Sequence, residues 1–278
     1  MTTTETQRQA AATFRELHRA GDPLRLANVW DVPSALLVAA SGAPALATTS
    51  AGVAWSLGVA DGDRIDRAVA IGRVGAIADA VHLPLSADIE GGFATSADGV
   101  GDTIRQVLEA GTVGVNVEDA AHHDGEPLRD PAGQAARIAA ARAAADAAEI
   151  PLYINARTDT YLLAVGPASD RLRDTLDRAA AYLEAGADGI FVPGVADPTT
   201  ITSLVDGIDA PLNILVGPGS PSVDELADLG VARVSLGSAV TLAAYALIGR
   251  GADELLRHGT YASLEGGLPY GDVNALLR

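Results

Sequence analysis

Apolar and polar positions alternate in short β-rich runs, separated by longer stretches with helical spacing, from one end of the chain to the other. Eight runs read as strands: LANVW (26–30), ALATTS (45–50), PLSADIE (84–90), GVNVED (114–119), PLYINAR (151–157), GIFVPG (189–194), PLNILVG (211–217) and RVSLG (233–237). Ala-, Leu- and Arg-rich segments at 63–82, 98–110, 130–149 and 170–185 read as helices between them, and residues 1–23 as an amphipathic first helix. Strand alternating with helix is the pattern of a parallel sheet. LEAGTVGVNVED and LEAGADGIFVPG share one punctuation, a Gly that closes a helix just before a strand, so they read as successive βα units. Eight units in 278 residues, with no linker or break in composition, predict one (β/α)8 TIM barrel domain over 1–278. The barrel strands occupy about 26–237 and a helical extension about 238–278. An open doubly wound sheet is the alternative, and the lack of a G-x-G-x-x-G in the first turn weighs against it. The extension exceeds what one closing helix needs, which suggests helices that pack on, or exchange with, another subunit.

Composition narrows the chemistry. All 19 basic residues are arginine, so lysine Schiff-base mechanisms are excluded. Cysteine is absent too, which removes disulfides, thiolate nucleophiles and sulfur-bound zinc or iron. Against 36 acidic residues the formal charge is −17, and no basic stripe offsets it, so neither nucleic acid nor an anionic membrane surface is an expected partner. No apolar run approaches the ~20 residues of a membrane span, and the polar start lacks the features of a signal peptide. A cytoplasmic protein is expected.

Strand parity then locates polar groups where a core would be expected. Side chains alternate across a strand. Leu85, Ala87 and Ile89 should face the covering helices, leaving Ser86, Asp88 and Glu90 inward. Val115 and Val117 face outward, with Asn116 and Glu118 inward and Asp119 outside or at the rim; Tyr153, Asn155 and Arg157 point inward from the next strand. Three consecutive strands thus send charges inward at their C-terminal ends, where barrel enzymes carry their active sites. Two carboxylates about 4 Å apart repel by roughly 4 kcal/mol at an effective dielectric of 20. Asp88, Glu90 and Glu118 therefore call for a compensating cation or proton beyond the single charge of Arg157. An all-oxygen cluster suits a hard ion that keeps waters, Mg2+ or Mn2+.

At these residues the chain resembles the isocitrate lyase/phosphoenolpyruvate mutase superfamily, in particular its phosphoenolpyruvate-mutase-like branch. NVWDVPSA (28–35), ATTSAGVAWSLGVADGD (47–63), SADIEGGFA (86–94), GVNVEDA (114–120), INARTDTYL (154–162) and GVARVSLGS (230–238) carry the resemblance, in family order. It implies a (β/α)8 barrel whose eighth helix is commonly exchanged between subunits of a homodimer or homotetramer. It also implies Mg2+ and a small 2-oxo or 2-hydroxy acid whose C–C or P–C bond is made or broken through an enolate. Asp88 would be the direct metal ligand, with Asp61, Glu90 and Glu118 acting through bound waters. Thr49, Ser50, Ala51 and Gly52 would cradle the substrate carboxylate, and Arg157, with Asn155 beside it, would bind the carboxylate or the developing enolate oxygen.

Departures from the family pattern set the expected reaction. The lyase loop with its catalytic Cys is replaced here by AAHHDGEPLRD (120–130), the lyase glutamate after strand six by FVPG, and the mutase loop with Lys, Asn and Ser is missing. His122 and His123 are the replacement candidates for acid/base work, because imidazole titrates near neutrality; tandem His in an Asp/Gly loop also reads as simply solvated. Tyr161 is a second proton-donor candidate. Asp119 is expected to orient the loop rather than touch metal, and Asn28 and Trp30 to pack, with lining the barrel floor or the pocket as the alternative. The expected function is a Mg2+-dependent lyase cleaving a C–C bond of a small 2-oxo or 2-hydroxy (di)carboxylic acid. Phosphoenolpyruvate/phosphonopyruvate mutase or hydrolase chemistry, and a non-catalytic oxo-acid-binding protein, are the alternatives.

Overall fold

A computed structural model describes residues 3–121 and 125–277. Eight parallel strands follow one another around a barrel: β1 (Leu24–Leu26), β2 (Leu46–Ala47), β3 (Leu85–Asp88), β4 (Gly114–Glu118), β5 (Tyr153–Arg157), β6 (Gly189–Val192), β7 (Leu212–Leu215) and β8 (Arg233–Ser235). Their order is β1-β8-β7-β6-β5-β4-β3-β2, and every registered pair is parallel. The ends of this sheet meet through a parallel bridge between Val29 and Thr48. Asn28 reinforces that seam, since its Nδ2 donates to the Thr48 carbonyl at 2.9 Å and its Oδ1 accepts from the Gly237 N–H at 2.8 Å. Each run expected as a strand therefore takes its place in a (β/α)8 barrel.

Helices cover the outside for reasons visible in the chain. α1 (Thr3–Glu16) precedes the barrel, α2 (Val32–Ala40) follows β1, and α3 (Ser50–Ser56) and α4 (Arg67–Ala80) follow β2. α5 (Ala97–Glu109) buries Val100, Ile104, Val107 and Leu108, an i, i+4, i+7, i+8 stripe. α6 (Pro131–Ala147), α7 (Arg171–Glu184), α8 (Pro198–Gly207) and α9 (Val223–Asp228) complete the ring. An Asp-Pro pair starts both α6 and α8, where the Asp130 and Asp197 side chains accept from Gly133 and Thr200 amides and the prolines occupy the first turn. Gly111 and Gly186, the glycines of the two LEAG repeats, end α5 and α7 at φ +92° and +103°.

The barrel interior is plugged from its N-terminal end. Phe14 of α1 meets Tyr153 edge-on at 5.7 Å between ring centroids, and His18 stacks on the same tyrosine at 3.9 Å. Two strand glycines make room. A Cβ at Gly114 would lie 2.7 Å from the Phe14 ring, and one at Gly189 would lie 2.3 Å from the Tyr153 hydroxyl. Above this aromatic floor sits a polar layer of Ser86, Asn116, Asn155, Asn213, Arg233 and Ser235, all buried.

Beyond the barrel, α10 (Ala239–His258) packs on the short 3-10 segment Ala262–Leu264, and α11 (Tyr270–Leu276) returns to α2. This extension exposes large apolar side chains, among them Ile248, Leu255, Tyr261, Leu256 at 83% and Tyr270 at 87%. No helix among the described residues is long and apolar enough to cross a membrane.

Candidate active site

The C-terminal mouth of the barrel collects the acids that parity placed there. Asp88 ends β3, and its amide donates to Thr48 Oγ1 at 2.8 Å, which ties its backbone to the seam. Its Oδ2 faces the amide and hydroxyl of Ser50 at 3.3 and 3.2 Å. Burial pushes the Asp88 carboxyl up from the usual carboxylate range and Asp61 adds to the rise, while Arg157 opposes both.

Glu90 reaches the cluster by an unexpected route. Parity assumes that the strand continues, but β3 stops at Asp88 and Glu90 lies at φ +51°. A left-handed conformation costs a non-glycine residue about 1 kcal/mol or more. It turns the carboxylate toward the 61–63 loop, where Oε2 accepts from the amides of Gly62, at 3.1 Å, and Asp63. Burial first, then Asp61, Asp63 and Asp88, push Glu90 up to about 8 against the opposing Asp63 amide bond. Asp63 is a site acid that strand periodicity could not flag, although the DGD pair at 61–63 is visible in the sequence. Its Oδ1 accepts from the Gly91 amide at 3.3 Å, and its Oδ2 lies 3.5 Å from Arg129. A Cβ at Gly91 would fall on that pair, 2.6 Å from Asp63 Oδ2 and 2.7 Å from Arg129 Nη2, so any larger residue would displace it.

Arg157, at the end of β5, is held by two carboxylates. Nε and Nη2 donate to Asp159 Oδ1 and Oδ2 at 2.6 and 2.9 Å, and Nη1 reaches Glu118 Oε2 at 2.7 Å. Phe191 lies against the guanidinium, 5.8 Å from its ring centroid. Asp159 was not expected; the signal was an acid two residues after an inward arginine, in ARTD. Asp119 lies off the barrel interior, as its parity suggests, and its carboxylate ties the segment after β5 to α7. Buried outside the barrel, it accepts from the Asp159 amide at 2.9 Å, from Tyr182 Oη at 2.8 Å and from Arg178 at 3.2 Å.

Several expected members sit elsewhere. The Thr49 amide is spent on the Val29 carbonyl at 3.0 Å as part of the barrel seam and the Ser50 amide faces Asp88, so the amides left for a carboxylate cradle are those of Ala51 and Gly52 in the first turn of α3. Gly52 also seats this helix, since a Cβ there would lie 2.8 Å from Thr241 of α10. Asn155 lies a layer below the mouth and donates to Asn116 at 2.9 Å, because its place in β5 is two residues beneath Arg157. Tyr161 follows Thr158–Thr160 off the strand end, and its charged neighbours are Arg171 and Asp197 rather than the acid cluster. His122 and His123 lie outside the described residues. Asn28 and Trp30 pack, as expected.

Among the described residues no three Asp, Glu or His side chains close around one point. A protein cage is therefore not what the mouth offers. Its donors are all carboxylate oxygens, with Asp61 beside both Asp88 and Glu90 and Asp63 beside Glu90, and burial with this repulsion pushes the Asp88 and Glu90 carboxyls up. That arrangement fits a hydrated hard ion held directly by one carboxylate and through water by the rest.

A parallel barrel whose C-terminal mouth gathers four acids and a doubly gripped arginine has the layout of a (β/α)8-barrel enzyme. Residues 14–256 match the family model described as phosphoenolpyruvate phosphomutase, and the chain belongs to that family, within the isocitrate lyase/phosphoenolpyruvate mutase superfamily. It is 29% identical to 2-methylisocitrate lyase of Escherichia coli K12 over 79% of this chain and 75% of that one. It is 30% identical to an oxaloacetate decarboxylase of Pseudomonas fluorescens SBW25, over 84% and 80%. A candidate lyase/mutase from Burkholderia cenocepacia J2315 superposes with a TM-score of 0.91 at 38% identity, over 98% of this chain and 97% of that one. A phosphonopyruvate hydrolase solved with oxalate and Mg2+ shares the fold, with a TM-score of 0.80 at 24% identity over 100% and 95%.

Proposed function

We propose that the protein is a cytoplasmic, Mg2+-dependent lyase that cleaves a C–C bond of a small 2-oxo or 2-hydroxy (di)carboxylic acid. The observation that carries this reading is the mouth itself, with Asp88 amid repelling acids and facing an arginine fixed by Asp159 and Glu118. A bound Mg2+ would supply Lewis-acid stabilisation of enolate charge in a chain with no lysine to withdraw electrons. Arg157 would bind the substrate carboxylate or the developing oxyanion, with no reorganisation needed because both carboxylates already fix its plane. The Ala51 and Gly52 amides would hold the carboxylate's far side, beside the Ser50 amide that faces Asp88. C–C rather than P–C cleavage is favoured by the 120–130 loop, which lacks the Lys, Asn and Ser expected of a mutase.

The test is a thermal-shift titration with Mg2+ and oxalate, alone and together. A ligand at ~100 times its Kd that binds only the folded state adds about 2.7 kcal/mol. Oxalate is expected to stabilise only when Mg2+ is present; the absence of any shift would remove the reading. The Mg2+ shift should also grow with pH. Glu90 binds its proton more tightly folded than unfolded, so it favours the metal-free fold below about 4.5 and withdraws that support as pH rises toward about 8. Mg2+ takes the ionised form, so its stabilisation should be small at pH 5.5 and largest near pH 8.

The apolar face of α10 and α11 supports a homodimer or homotetramer, because so much exposed Leu, Ile and Tyr in one extension is what a second subunit would cover. Light scattering should give a multiple of 28.2 kDa, and a monomer would count against this assembly.

A further inference from the structure

Arg233 is the largest fully buried side chain of the molecule, and it has no carboxylate of its own. Its Nε donates to Ser235 Oγ at 3.4 Å and its Nη2 to Asn116 Oδ1 at 3.3 Å, while Nη1 makes no hydrogen bond to protein. Among the described residues no acid lies within ion-pair distance of it, whereas the buried Arg157 and Arg178 each grip carboxylates. A buried charge left unpaired is costly, so it should be retained for a reason.

The groups around it show where its field goes. Below lie His18 and Tyr153 of the aromatic floor, both neutral. Burial, then Arg233 itself, hold His18 down at about 3, and burial pushes the Tyr153 hydroxyl up. Above lies Asp88, the acid whose charge Arg233 feels. The link is short: Asn116, which accepts from Arg233, is the register partner of Asp88 in the β3–β4 ladder. The countercharge of Arg233 is therefore the mouth of the barrel.

We infer that Arg233 is a positioning residue, a fixed cation beneath the mouth that weakens the hold of the acid cluster on a metal ion and strengthens the site's hold on an anionic substrate. This rests on the metal-and-oxo-acid reading above. Asn116 and Asp88 sit opposite each other on adjacent strands, about 5 Å apart, so a charge bonded to one still acts on the other through the low-dielectric interior.

Calorimetry on the full chain tests it, with Mg2+ alone and then with oxalate at saturating Mg2+, for the wild type, Arg233→Met and Arg233→Gln. Both variants are expected to bind Mg2+ about tenfold more tightly and oxalate about tenfold more weakly. Opposite signs are the signature, since a side chain that only props up the fold would weaken both ligands together. Parallel weakening, or two unmoved constants, overturns the inference. Arg233→Gln keeps a polar group for Asn116 and Ser235, so it supplies the reading if Arg233→Met does not fold; failure of both to fold makes the residue structural and also overturns it. A wild type that binds neither ligand removes the lyase reading and this inference together, whereas a normal wild type with unmoved variants removes this inference alone.

Discussion

Asp88→Ala is expected to abolish Mg2+-dependent turnover while leaving the barrel folded. The Asp88 side chain gives the fold little: two long contacts to Ser50 and one to the Glu90 amide, all at 3.2–3.3 Å. The tie to Thr48 runs through the Asp88 backbone amide and survives the substitution. Asp61 and Glu90 lose a repelling neighbour, so the metal-free variant should melt at or above the wild-type temperature. The catalytic loss is a different matter. A Lewis acid at an enolate contributes several kcal/mol to the transition state. Losing about 4 kcal/mol lowers kcat by about a thousandfold. The measurement pairs turnover of whichever acid the wild type accepts, among oxaloacetate, alkylmalates and phosphonopyruvate, with the Mg2+ thermal shift of the variant. Unchanged turnover, or a Mg2+ shift equal to that of the wild type, would take Asp88 out of the metal site.

The ease with which this chain can be read follows from how each residue is held. Strand centres are legible because the apolar parity of Leu85, Ala87, Val115, Val117, Ile154 and Ala156 reports burial against the helices. Strand ends are less so. LANVW continues its alternation after the chain has left β8 at Leu26, since Val29 then bridges to Thr48 on the other side of the seam. Glu90 has the same lesson in the site: its inward parity is right about proximity to Asp88, but a positive φ and two loop amides place it. Strand parity does not place Asp63 and Asp159, because loop backbone has no period to read, although DGD and ARTD display both acids beside site residues. Thr49 spends its amide on the barrel seam, and Asn155 donates through Nδ2 to Asn116 one layer below the mouth, placements that only the closed barrel defines. The hydrogen-bonded members of the polar layer around Arg233 are spread over four strands, β4, β5, β7 and β8, and become one network only when the barrel closes.

Arg157→Lys keeps the charge and is nevertheless expected to lose most activity. The guanidinium meets Asp159 with two parallel N–H bonds and Glu118 with a third, and those acids are only 2% and 4% exposed. Three of its five N–H groups are thus committed, leaving one on each terminal nitrogen for a substrate. An ammonium is a point donor on a flexible stem and cannot reproduce the fork. To reach Glu118 it must abandon Asp159, or the reverse, and either choice leaves a buried carboxylate short of its partner. The fold should lose about 2–3 kcal/mol, less than the 3–5 kcal/mol for deleting one partner of a buried pair because the charge remains nearby. Loss of one oriented oxyanion donor costs about 100- to 1,000-fold in kcat. The burden should fall on kcat more than KM, since oxyanion charge develops only as the bond breaks. Steady-state kinetics with a melt of the same preparation separate the two effects. A variant with wild-type kcat/KM would remove Arg157 from the reaction. One that loses stability with unchanged kcat would make it a strut between Asp159 and Glu118 rather than a group that meets substrate.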